Sequence, residues 1–394
     1  MNLLAQIGFQ KTDKVQSALD AGAIDGYIMS PQYDKPEAAN SFFENMAAAY
    51  PSSQRLFDPM LYVLVVARHE NLKCGKMQEY DYCPAPWPRR GELQAEDRIE
   101  DLVQQALAYQ DTLEVTSLIA PNILVRNSVD SLWGGIARDF IRITGEVAWQ
   151  RDDNKPILAT LALDSNALAQ RQEIDDLLNE LTGSDLHVSG FYLLVSFPEG
   201  ELKNTLTPDV LANWLYLVHS LSENDFNVVV GYADFLSTFL AIAGAQAGAT
   251  GWHETGRKFS ISRFTPQRTG GQPPLPRYSS PTLLNRILLS ELRAELEPDL
   301  ISHPDMLADI RRARSADVQA LQHWHAIRNT LRWFATGDTE ARVENARRGL
   351  QRALRTYERL NSLVELDPKS DGREFVSTVI EGLGLFSRLL RGEI

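Results

Sequence analysis

Short apolar runs alternate with stretches of helical spacing along the first two thirds of the chain. The runs are Leu3–Gly8, Gly26–Ser30, Arg55–Asp58, Asn122–Val125, Ile157–Leu163, Val188–Ser196, Phe226–Gly231 and Ala249–Trp252. Several lack polar alternation, as in Asn227-Val228-Val229-Val230, which suits strands covered on both faces. Between them lie Glu37–Tyr50, Ile99–Gln110, Asp130–Thr144, Leu168–Leu181, Pro208–Leu221 and Ala233–Gln246, whose apolar residues recur at helical spacing. Regular alternation implies parallel pairing with right-handed crossovers. Eight strands in about 250 residues match a closed barrel. An open doubly wound sheet is the alternative, but no Gly-x-Gly-x-x-Gly turn follows the first strand. The expected fold is α/β, a (β/α)8 TIM-like barrel over residues 1–280, followed by an all-α C-terminal extension over 281–394.

The extension is expected to hold helices at Thr282–Glu297, Pro304–Arg314, Ala316–Ala335, Thr339–Leu363 and Arg373–Arg391. Gly337-Asp338 reads as a C-cap followed by an N-cap. Val343, Ala346, Leu350, Leu354, Tyr357, Leu360 and Val364 form a seam at three-four spacing, which predicts a helical hairpin. The last helix carries Phe375, Val376, Val379, Ile380, Leu383, Leu385, Phe386, Leu389 and Leu390, more than one apolar stripe. That surplus predicts burial in the tail's own bundle or contact with another chain, a second copy or a partner, through 375–390.

Ser30-Pro31, Asp58-Pro59 and Phe197-Pro198 mark strand ends, because proline cannot donate to a central ladder. Two long connections, 59–96 and 255–280, follow the third and eighth strands and are expected over the same barrel face, where barrel chemistry sits.

The hydrophobic share of 44% is globular. Two cysteines and an N-terminus with no basic cluster before an apolar stretch suit a cytoplasmic protein. The uncharged run Phe235–Trp252 is interrupted by polar residues and glycines, so no membrane span is expected. The net charge of −13 is uneven. Residues 281–394 are neutral, residues 1–254 carry −18, and 255–280 hold Arg257, Lys258, Arg263, Arg268 and Arg277 without an acid. Basic and aromatic residues interleave over 257–278. This suits a nucleic acid or, alternatively, a loop pinned to an acidic body by charge.

Asp58, Asp164 and Asp234 each follow an apolar run. Such carboxylates are candidates for acid–base work or for holding a divalent cation; the plainer reading is helix capping. Pro59 favours extended chain at Asp58, which argues against a cap there. Ser30, Arg126, Gly231, Gly248, Gly251, Arg257 and Lys258 are candidate ligand-binding residues. The glycines are a candidate phosphate-binding set at the seventh and eighth strands, and Arg126, Arg257 and Lys258 candidate anion holders. Their plainer readings are close packing and ordinary ion pairs. His69, Cys74 and Cys83 share the first long loop but lack the Cys-x-x-Cys turn of a structural zinc site, so free thiols are the simpler reading. No nucleophile elbow, Walker loop or kinase signature occurs. The chain is therefore expected to be an enzyme acting on an anionic, phosphorylated or nucleotide-like ligand at the C-terminal barrel face. The alternative is a non-catalytic binding or assembly subunit of a multi-protein system, bacterial defence included, that uses its helical tail for contacts.

Overall fold

In the computed structural model eight barrel positions alternate with helices, and the described residues are 1–9, 13–65, 73–151, 155–183, 185–199, 205–265, 275–313 and 315–393. The barrel elements run β1 (Asn2–Gln6), α1 (Lys14–Asp20), β2 (Gly26–Met29), α2 (Pro36–Ala49), β3 (Gln54–Phe57), α3 (Glu96–Asp111), β4 (Leu118–Ala120), β5 (Leu124–Val125), α4 (Leu132–Trp149) and β6 (Ile157–Asp164). They continue with α5 (Arg171–Gly183), β7 (Gly190–Ser196), α6 (Pro208–Glu223), β8 (Asn227–Val230), α7 (Leu236–Leu240) and β9 (Ala247–Thr250). All pairs in this sheet are parallel, in the order β3-β2-β1-β9-β8-β7-β6-β4, with β5 also on β6. β4 and β5 are thus two halves of one barrel position. Asn122 stands between them, and its side-chain amide donates to Thr160 O at 2.7 Å and Ala137 O at 3.0 Å. The expected fourth strand, Asn122–Val125, covers the second half only. The barrel nearly closes between β3 and β4, where Thr116 N donates to Arg55 O at 2.8 Å and Arg55 N donates to Thr116 Oγ1 at 2.9 Å.

Side chains alternate along each strand, so one residue of known direction sets the parity of the sheet. Tyr192 on β7 reaches across the interior to Asp58, just past β3. Following the register from Tyr192 through Val229, Ala247 and Asn2 to Gly26 places Leu4, Gln6, Ile28, Leu56, Asp58, Thr160, Asp164, Leu194 and Ser196 on the inner face.

The extension is helical apart from one antiparallel hairpin, β10 (Arg277–Ser280) and β11 (Asn285–Leu288). Its helices are α8 (Glu297–Leu300), α9 (Pro304–Ala313), α10 (Ala316–Phe334), α11 (Thr339–Asn361) and α12 (Arg373–Leu390). The hairpin replaces the first part of the helix expected at Thr282–Glu297, with Leu284 at φ 54 in its turn, and a short 3-10 turn at Leu289–Glu291 follows. Likewise Ala233–Gln246 forms only the short α7. Asp234 at φ 43 and Gly244 at φ 102 leave the helical region at either end. Asp338 caps α11 as expected, accepting from Ala341 N at 2.9 Å. The α11 seam is buried at Val343, Ala346, Leu350, Tyr357 and Leu360 and partly buried at Leu354 and Val364.

α10 docks the extension on the barrel. Trp324, fully buried, donates from Nε1 to Thr250 O at 3.0 Å; Arg328 pairs with Asp25 at 2.8 Å. α12 lies on α6 and α11. Val376, Val379, Leu383 and Phe386 are fully buried, and Phe375, Ile380, Leu385 and Leu390 are packed against the core. Much of the apolar surplus of this helix packs within the chain, against the barrel helix α6 as well as α11, while Phe375, Ile380, Leu385 and Leu390 stay partly exposed. No helix among the described residues is long and apolar enough to cross a membrane.

Candidate functional site at the barrel mouth

β3 ends at Phe57, and Asp58 follows on the inner face with its backbone N–H donating to Met29 O at 2.8 Å. Asp58 is 1% exposed. Oδ1 accepts from Met60 N at 2.9 Å; Oδ2 accepts from the Tyr62 hydroxyl at 2.8 Å and the Tyr192 hydroxyl at 3.2 Å. Burial pushes the carboxyl up to about 6, against these hydrogen bonds and the nearby Arg263, which pull it down. Burial also raises Tyr62 and Tyr192 well above the ordinary phenol range, so both are neutral donors near pH 7.

The connection after β9 lies over this group. Ile261 N donates to Ser196 Oγ at 3.1 Å, and Phe197 N donates to Phe259 O at 2.9 Å. Arg263, half-buried, donates to Tyr232 Oη at 3.1 Å and Gln32 Oε1 at 3.2 Å, and its guanidinium sits over the rings of Tyr232 and Phe264. Phe259 packs on Tyr62 and Tyr232 with ring centroids 5.2 and 5.5 Å apart. The first long connection joins the cover: Lys73 N donates to Phe264 O at 2.7 Å, and Lys76 N to Gln32 O at 3.1 Å.

Backbone strain gathers on this rim. Among the described residues, Met60, Asn127, Tyr232 and Asp234 are four of the six non-glycine residues with positive φ, and they follow β3, β5 and β8. Such conformations cost about 1–3 kcal/mol each and concentrate where a site needs them.

The other expected residues divide. Ser30 is buried one residue past β2, next in register to Asp58 one residue past β3. Arg126 is half-buried one step past β5, and its guanidinium has no partner among the described residues. Asp164, the register partner of Ser196, caps a one-turn helix by accepting from Asn166 N at 2.9 Å. Asp234 turns away to the tail, 3.0 Å from His323 Nε2, with the ring N–H out of line for a hydrogen bond. Burial would raise Asp234, but His323 and Arg257 outweigh it and hold the carboxyl below its usual range. Burial, with Arg257, pulls His323 below the usual imidazole range against the opposing effect of Asp234. The three aspartates have separate partners, and no group of three metal-ligating side chains forms among the described residues.

Gly231 and Gly251 serve packing. A Cβ at Gly231 would stand 2.6 Å from the Tyr192 hydroxyl, and one at Gly251 would stand 2.7 Å from Gln6 O. Their N–H groups donate to Leu193 O and Gly256 O, and neither is left for a phosphate. Gly248 lies in β9, where a Cβ would meet Ser237.

Arg257 donates to Gly251 O and Trp252 O, Lys258 to Pro198 O, and Arg277 pairs with Asp367 at 2.6 Å. With Arg263, four of the five cations of 255–280 therefore have intramolecular partners. Arg268 lies outside the described residues, as does His69. Cys74 and Cys83 are free thiols, both raised by burial.

Sequence reasoning missed Tyr62, Tyr192, Tyr232 and Gln6. A tyrosine and a glutamine inside otherwise apolar strands were the available signals. No family model and no curated protein matches the chain.

Proposed function

We propose that the chain is a barrel enzyme that moves a proton on a small anionic ligand, phosphorylated or nucleotide-like, with Asp58 as general acid or base. The observation that carries this reading is a carboxylate sealed at the C-terminal end of the barrel against two tyrosine hydroxyls, where burial pushes it up to about 6. Asparagine would serve a purely structural role there without a buried charge. A carboxyl that exchanges its proton near neutrality suits acid–base work. Tyr62 and Tyr192 orient Oδ2. Arg126, without a partner among the described residues, is a cation available to an anion on the same rim, and Arg263 covers the mouth.

The test is mass spectrometry of small molecules released from purified wild type, Arg126→Ala and Asp58→Asn. The expected result is a stoichiometric anion on wild type, lost from Arg126→Ala, and converted on re-addition to wild type but not to Asp58→Asn. Wild type that carries and converts no anion overturns the reading.

A further inference from the structure

Gln6 ends β1 in the run Leu3-Leu4-Ala5-Gln6-Ile7, fully buried and on the inner face opposite Ile28. Neither Oε1 nor Nε2 has a hydrogen-bond partner among the described residues. A buried carboxamide unpaired at both ends is among the costlier things a core can hold, and leucine at this position would remove the cost. The next inward step of the neighbouring strands reaches Ser30 and then Asp58. The orphaned amide therefore sits in the same end of the barrel as the titrating carboxylate.

We infer that this end of the barrel binds a planar heterocycle of nucleobase type, read by the carboxamide of Gln6; the inference rests on the mouth being a ligand site. A carboxamide presents a donor and an acceptor side by side in one plane. Its complement is an adjacent acceptor–donor edge, as on adenine or on the cyclic amides of guanine and uracil. The mouth is also lined by aromatic rings: Tyr62 packs edge-on to Phe259, Phe259 lies tilted against Tyr232, and the Arg263 guanidinium stands 4.8 Å from the Tyr232 ring centre, so that lifting Phe259 and Arg263 would free ring faces for a planar ligand. Arg263 Nε is a further buried donor without a partner among the described residues. Arg126 on the rim then meets the charged part of a nucleotide, while Gln6 meets the base. Entry requires the segment around Ser260–Thr265 to lift, breaking the bonds of Ile261 to Ser196, of Arg263 to Tyr232 and Gln32, and of Lys73 to Phe264.

The experiment is calorimetric titration and thermal shift of full-length protein with adenine, guanine, hypoxanthine, cytosine, uracil and their 5′-monophosphates. Wild type is compared with Gln6→Leu and Gln6→Met. At least one base or its monophosphate should raise the wild-type melting temperature, with affinity falling about 100-fold or more in both variants, because a site built to hydrogen-bond a ligand rejects a mismatch strongly. The unliganded variants should keep the wild-type circular dichroism spectrum and melt at or above the wild-type temperature. If no base or monophosphate binds wild type, or wild type and variants bind equally, the inference is wrong. If both variants melt lower and wild type binds no base, the amide is structural. Base binding without conversion leaves this inference standing and removes the proton-transfer reading. Asp58-dependent conversion of an anion that contains no base does the reverse.

Discussion

Two regions of this protein bury polar groups, and they do so differently. At the junction of barrel and extension, Ser279 N donates to Gln322 Oε1 at 2.9 Å while Gln322 Nε2 returns a bond to Ser279 O at 2.7 Å. Ser279 Oγ meets His323 Nδ1 at 2.9 Å, and Tyr278 Oη accepts from Ser302 N and His303 N. Most side chains there pair with one another, Asp234 and His323 and likewise Arg328 and Asp25 meet at ion-pair distance without a hydrogen bond at His323 Nε2 or Arg328 Nη2, and Trp324 seals the contact. At the barrel mouth, Gln6 is unpaired at both ends, Arg126 has no partner among the described residues, Asp58 is charged against burial, and the backbone is strained. Satisfied buried networks specify one geometry. Unsatisfied ones are retained at a stability cost where a function requires them. The His323 ring, with Asp234 on one side and Ser279 on the other, has the membership of a Ser-His-Asp relay. Ser279 is 1% exposed on a sealed hairpin, so the set belongs to the junction.

The largest expected effect breaks the junction. Trp324→Ala removes a fully buried indole and should cost about 3–5 kcal/mol. Guanidinium unfolding followed by far-ultraviolet circular dichroism and by tryptophan fluorescence should still show one coincident transition at a lower midpoint. Two separated transitions would mean that the tail folds independently of the barrel.

Asp58→Asn should act in the opposite direction. A folded pKa of about 6 against an ordinary value of 3.8 means the native state binds the proton more tightly than the unfolded chain. The carboxyl's favourable contribution is complete below pH 4 and is lost as pH rises to about 6 and beyond. The variant should therefore gain up to roughly 3 kcal/mol over wild type at pH 8 and nothing at pH 4. Urea unfolding across that range measures it, and a loss of stability at every pH would make Asp58 a structural residue.

Ser279→Ala leaves His323 Nδ1 unpaired in the junction and should cost about 1–2 kcal/mol, read from thermal unfolding. No change would show that the junction does not depend on its side-chain network. The smallest stability effect is expected of Arg126→Ala, within about 0.5 kcal/mol, since the guanidinium has no partner among the described residues. A larger loss of melting temperature would give Arg126 a structural role and weaken the mouth as an anion site.

Much of the architecture was legible because it rests on local pattern. Strand–helix alternation predicted the barrel. Proline after Ser30, Asp58 and Phe197 marked strand ends, and helical spacing located α2, α3, α10, α11 and α12 to within a few residues. Asp58 was legible for the same reason: an acid after an apolar run, held extended by Pro59, stands at a strand's C-terminal end. Its companions were not. Tyr192 and Asp58 are 134 residues apart and meet only because β7 and β3 lie across the barrel from each other. Gln6 is anomalous only once the register shows that it faces inward. Asp234 belongs to the junction because α10 brings His323 to it, and much of the apolar face of α12 is covered because α6 lies beneath it. The sequence by itself determined which segments are strands, which are helices and where each strand stops, since periodicity and proline geometry act over a few residues. Only the tertiary structure decided which buried polar groups find partners, because those partners come from strands and helices that closure of the barrel and docking of the tail bring together.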